Sequence, residues 1–138
     1  MAGGPGGSEG LASRGWTVIS GAAYGIDSAA HRTCLAAGGA TVAVLACGAD
    51  RAYPAVHRGL LDEIARTAAV VSEVPVGAAP YRSRFLARNR LIAAMTSGTV
   101  VVEAALRSGA LNTAGWAESL NRHVMCMPGP VTSYTSKG

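Results

Sequence analysis

Five short apolar runs rich in β-branched residues recur along the chain, and the first four each lead through turn residues into a helical pattern. "WTVIS" (16–20) runs through "GAAYG" into "IDSAAHRTCLAA" (26–37), and "TVAVLA" (41–46) through "CGADRAYP" into "AVHRGLLDEIART" (55–67). "AAVVSE" (68–73) leads into "FLARNRLIAAMTS" (85–97), and "GTVVVEA" (98–104) into "ALNTAGWAESLNR" (110–122), before "HVMCMP" (123–128) closes the series. The runs are continuous rather than alternating, as strands covered on both faces must be. Strand–helix alternation at this spacing requires right-handed crossovers. It predicts a Rossmann-like, doubly wound α/β fold, with a mainly parallel sheet and helices on both faces.

Residues 1–10 are a glycine-rich start of low complexity, expected to be flexible, and "SEGLASRG" reads as a short helix before the first strand. Residues 11–138 form one predicted domain, with no linker and no internal repeat. A chain of 138 residues buries roughly two-thirds of its unfolded surface, enough for a real core. Apolar residues make up 49% and charged ones 14%, which excludes a disordered chain. Cys34, Cys47 and Cys126 are scattered without ligand spacing, so they are expected to be small buried residues of a reducing compartment, not a metal site. No apolar run is long enough to span a membrane, and the start lacks the basic and apolar regions of a signal peptide. The cytoplasm is the expected location, and no metal or organic cofactor is expected.

In doubly wound sheets, ligands bind where strand carboxyl ends meet helix amino ends. Four loops fall on that edge: 20–27, 47–53, 73–85 and 103–109. In "SGAAYGID", Ser20, Gly21 and Gly25 can turn backbone N–H groups toward a phosphate at a helix start, or can serve only a tight turn. The dinucleotide and P-loop glycine fingerprints are absent. Asp27 and His31 lie near Ser20, but without a nucleophile elbow they do not form a triad. Asp27 fits a first-turn carboxylate and His31 a structural role. Glu73 and Glu103 follow strands and could act as paired carboxylates, but pairing with loop amides or with arginines is favoured. Ser108 and Gly109 make a second anion cradle or a simple helix cap.

Charge sharpens the search. The net charge is +4, and "RSRFLARNR" (82–90) holds four arginines in nine positions. Ala87, Leu91, Ala94 and Met95 have the spacing of a buried helix face, which would leave Arg88 and Arg90 on its two flanks. Arg82, Arg84 and Phe85 would then emerge at the helix start, giving guanidinium forks for phosphates and a ring for a base. The alternative is a solvated basic face with Phe85 in the core.

"VISGAAYGIDSAAH", "TVAVLACGADRAYP", "VVSEVPVG", "RSRFLARNRLIAAMTSGTVVVEAALRSGALNTA" and "VMCMPGPV" together resemble the DprA/Smf family, DNA processing protein A, from about residue 10 onward. The resemblance implies a non-enzymatic protein of natural transformation that binds and protects single-stranded DNA and assists loading of a RecA-type recombinase. Such proteins often act as homodimers and have no membrane association. It implies DNA contacts from Ser20, Gly21, Arg82, Arg88, Asn89 and Arg90, base stacking on Phe85, and Ser108 and Gly109 lining the same pocket. Family members usually begin the domain with a strand ending in a "VGSR"-like motif and continue past "TSYTSKG", which implies a domain short at both ends. Two readings of other classes stand beside this one. A nucleotide phosphoribohydrolase of similar fold would need PGGxGTxxE, which "AALRSGALNTA" lacks. A non-catalytic nucleotide sensor would use the same crevice.

Overall fold

The computed structural model describes residues 5–102 and 109–127. Helix α1 (Pro5–Ser13) precedes strand β1 (Val18–Ser20), which leads into α2 (Ile26–Ala36) and β2 (Thr41–Leu45). A 3₁₀ turn (Ala55–His57) opens α3 (Arg58–Thr67), and β3 (Ala69–Ser72), α4 (Arg82–Met95), β4 (Gly98–Val102), α5 (Gly109–Ser119) and β5 (His123–Met127) follow. Helix α1 starts earlier than the sequence pattern indicates, inside the glycine-rich stretch, with Pro5 in its first turn, where a missing N–H costs nothing.

All strand pairings among the described residues are parallel. Val18, Ile19 and Ser20 lie opposite Thr41, Val42 and Ala43, and β2 pairs onward with β3. Gly98 through Val102 lie opposite His123 through Met127. Both faces of β2 are covered, which is why its run from Val42 to Leu45 is uniformly apolar. Val42 and Val44 pack with Leu91 and Ile92 of α4, whereas Ala43 and Leu45 pack with Leu60, Leu61 and Ile64 of α3. On the second pair of strands, Val101 and Val124 pack against Ala110, Leu111 and Ala114 of α5.

The strands do not form one continuous sheet among the described residues: β1–β2–β3 and β4–β5 are separate hydrogen-bonded units. Two clefts flank the line between them. One holds Thr17, Ile19, Ser97 and Gly98, at the amino ends of β1 and β4. The other holds Ser20 and Val101, toward their carboxyl ends. The two strands therefore run in the same direction, each with one side unpaired among the described residues.

Two sequence expectations need correction. Cys34 and Cys47 are buried and burial pushes both thiols up, but Cys126 is exposed, on β5, which pairs with β4 alone among the described residues. The buried face of α4 is Arg88, Asn89, Ile92 and Ala93, not Ala87, Leu91, Ala94 and Met95. Ala87, Ala94 and Met95 are exposed, and Leu91 is half-buried. The helix is turned because Arg88 and Asn89 bury their polar atoms against hydrogen-bond partners, which removes the usual penalty for enclosing them.

Candidate nucleic-acid interface

Helix α4 points its first turn at the carboxyl edge of the sheet. It begins at Arg82, three residues before the start expected from the pattern, and no acidic residue balances Arg82 and Arg84 in that turn. Cations at a helix amino end oppose the macrodipole and cost about 0.3–1 kcal/mol each. The sequence thus concentrates positive potential where the backbone already supplies some.

One turn further in, Arg88 is held rigidly. Its Nη1 donates to the carbonyls of Gly21 (3.1 Å) and Val44 (2.7 Å), and its Nε donates to Asn89 Oδ1 (3.1 Å). Asn89 is fixed in turn, its Nδ2 donating to Gly109 O (3.3 Å) and Asn112 Oδ1 (3.2 Å). These bonds join the ends of β1 and β2 to the start of α5. Guanidinium has five N–H donors. The two on Arg88 Nη2 make no hydrogen bond within the described residues, and the side chain lines a cleft. Burial lowers the Arg88 pKa, and the nearby Asp27 carboxylate opposes that shift. Gly21 is what makes room: a Cβ there would come within 2.6 Å of Arg88 Cζ.

The cleft measures about 290 Å³ and is lined by Ser20, Asp27, Phe85, Arg88, Asn89 and Gly109, among others. Thr99, also on its wall, has a buried hydroxyl with no partner among the described residues. Phe85 is half-buried at the mouth, its ring centroid 5.7 Å from Arg88 Cζ. That placement is neither full core burial nor free exposure.

The glycine turn behaves differently from a phosphate cradle. The N–H groups of Gly21 and Ala23 both donate to Asp27 Oδ2 at 3.2 Å, so a carboxylate of the chain occupies the place an anion would take. Asp27 lies in the first turn of α2, as expected, and additionally closes the loop before it. His31 is structural, with Nδ1 2.7 Å from Thr41 Oγ1. Glu73 pairs with Arg90.

Of the residues expected at the site, the structure brings Ser20, Phe85, Arg88, Asn89 and Gly109 to one cleft, with Gly21 beneath Arg88. Arg82 is exposed at the start of α4, and Arg90 is exposed and held by Glu73. Ser108 and Glu103 lie outside the described residues. Sequence reasoning missed Asn112, Thr113 and Thr99, which reach the cleft or its supports. The one available signal was the mid-helix "NT" of "ALNTA", where short polar residues are poor helix formers without a partner.

No helix of the described residues is long and apolar enough to cross a membrane. Residues 7–138 match the family description of DNA recombination-mediator protein A. A DprA relative from Mycobacterium tuberculosis is 57% identical over 131 residues, covering 95% of this chain and 34% of its own length. The DNA processing protein DprA of Streptococcus pneumoniae is 41% identical over 121 residues, covering 88% of this chain and 43% of its own length. The X-ray structure of DNA processing protein A from Streptococcus pneumoniae superposes with a TM-score of 0.84 at 37% identity, covering 96% of this chain and 48% of that one. A structure describing the single-stranded DNA binding mode of DNA processing protein A from Helicobacter pylori superposes with a TM-score of 0.84 at 28% identity, covering 91% and 57% respectively. The chain spans about a third of the length of its Mycobacterium tuberculosis relative. With the match running through the rigid arginine, its glycine seat and the cleft between them, the chain belongs to the DNA recombination-mediator protein A family.

Proposed function

We propose that this chain binds single-stranded DNA without sequence preference and performs no catalysis. The observation that carries the reading is Arg88: a buried guanidinium locked by three bonds, with its Nη2 donors left over at a cleft whose mouth is the Phe85 ring. A fork held rigid before binding loses little freedom when it engages a phosphate. A ring beside it accepts any base, since every base has a stacking face. Asp27 lines the same cleft, so its formal charge is balanced inside, and attraction of a polyanion falls to the rim, where Arg82 is exposed. Asn89 and Gly21 position Arg88, and Ser20 and Gly109 border the space. The relative from Helicobacter pylori, described in its single-stranded DNA binding mode, supports this assignment. Family membership further supports a role in DNA uptake and recombination in the cytoplasm, with the strand passed to a RecA-type recombinase and the protein acting as a homodimer.

The test is fluorescence anisotropy of a labelled oligo-dT of roughly one to two OB-fold site lengths, about 20 nucleotides, across a salt series. Two or three phosphate contacts give a log–log slope of about −1.4 to −2.1. A slope near zero, or no binding by the folded chain, overturns the proposal. Release of free base from a nucleoside monophosphate would instead identify the phosphoribohydrolase class. Saturable mononucleotide binding that oligo-dT does not displace would identify a sensor.

A further inference from the structure

Phe85 is not alone. Tyr53, in the loop between β2 and α3, places its ring centroid 5.7 Å from that of Phe85 with the planes 49° apart, and is 49% exposed. Tyr81, the residue before α4, is 59% exposed, and the Arg84 guanidinium lies 4.7 Å above its ring. Arg84 is pinned there by a bond from its Nη1 to the carbonyl of Ala79. Three rings and two arginines thus adjoin on the carboxyl edge, one of the arginines stacked on a ring and the other, Arg82, exposed. Aromatic faces interleaved with guanidinium groups are the elements of a platform for unpaired bases. An acidic or apolar protein segment would use the charges or the rings, whereas a single strand uses both at once.

We infer that Tyr53 and Tyr81 are base-stacking residues that extend the Phe85 site to successive nucleotides of one strand; this rests on the single-stranded DNA reading above. The geometry also fixes the form of the strand. Stacked bases rise about 3.4 Å per nucleotide, less than the 5.7 Å between the tilted rings of Tyr53 and Phe85. Tyr81 stands in extended conformation just before the helix, four residues ahead of Phe85. Bases on Tyr53 and Phe85 therefore lie splayed from one another, each on its own side chain, and the bound strand is extended there.

The experiment uses the full chain with oligo-dT carrying single 5-iodouracil substitutions, photocrosslinked and mapped by mass spectrometry. In parallel, affinities and melting temperatures are measured for Tyr53→Phe, Tyr53→Leu, Tyr81→Phe and Tyr81→Leu. Crosslinks to Tyr53 and Tyr81 from distinct nucleotide positions are expected. Each leucine variant should weaken binding about fivefold or more, the lower end of a stacking contribution. Each phenylalanine variant should keep wild-type affinity, and the salt slope should stay the same in all four. If wild type binds and Phe85→Ala weakens it, but crosslinks fall on Phe85 alone and the leucine variants bind like wild type, the inference fails while the function stands. If wild type does not bind oligo-dT, both fail.

Discussion

Removing the Arg88 side chain strips donors from the carbonyls of Gly21 and Val44 and from Asn89 at once. Each buried acceptor left without a partner costs about 1–3 kcal/mol. Arg88→Ala should therefore destabilise the fold by about 3 kcal/mol or more, measured by urea denaturation, and lose DNA affinity for two reasons together. An unchanged midpoint would show that these bonds do not hold the strand ends together. Gly21→Ala should give a similar defect through sterics, because the guanidinium has to leave its seat. Phe85 separates binding from folding better. Its ring is half-buried, and Phe85→Ala should cost about 1–3 kcal/mol of DNA affinity. An affinity unchanged beside an intact melt would remove the ring from the site. At this scale, the proposed function divides the work: rigid contacts would hold the ligand groups, and exposed side chains at the rim would attract the polyanion.

Among the elements, α4 is the most informative, because its burial contradicts its composition. Ile92 is 7% exposed and packs against Ile19 and Val44, while Met95 is 47% exposed. Ile92→Ala should cost about 2–5 kcal/mol, and Met95→Ala should stay within about 0.5 kcal/mol. Thermal or urea melts of the two variants decide it, and the reverse order would restore the face read from the pattern. The reason that face was misread is physical. A pattern of apolar spacing assigns charged residues outward, but Arg88 finds its acceptors just past β1 and on β2, more than forty positions away. Long-range hydrogen bonds leave no mark in local periodicity. The strands were legible because β2 is covered on both faces and so is apolar from Val42 to Leu45. The separation of β1 from β4 was not legible, since strand order depends on packing rather than on any one run. The cleft was only partly legible: glycine and arginine signals found Gly21 and Arg88, whereas Thr99, a single polar residue inside a strand, gave no pattern of its own.

For the whole molecule, acid acts on the fold through His31, which is fully buried and has its pKa lowered from 6.5 to about 4. Desolvation is the main cause, opposed by the charge of Asp27 and reinforced slightly by His57. The proton count explains why burial favours the neutral ring. Thr41 Oγ1 donates to Val18 O at 2.7 Å, so His31 Nδ1 must be the donor to Thr41, and Nε2 carries the lone pair. Nε2 has no partner among the described residues. Protonation would place an N–H there without an acceptor. The unfolded chain takes up this proton near pH 6.5 and the folded chain only near pH 4. Between those values the unfolded state binds more protons, so stability rises with pH and is lost as pH falls through the window, reaching about 3 kcal/mol. Carboxylates titrate at the low end as well, and His31→Gln separates the two contributions. Urea midpoints at pH 7, 5.5 and 4.5 should fall steeply for wild type and less steeply for the variant, whatever its stability at pH 7. Parallel curves would show that His31 does not set the acid limit. The same acidification adds positive charge to a chain already at +4, so affinity for a polyanion should hold or rise until the fold gives way. Binding and stability are therefore expected to part between pH 6.5 and 4, with the buried imidazole, not the proposed DNA site, setting the lower bound of the working range.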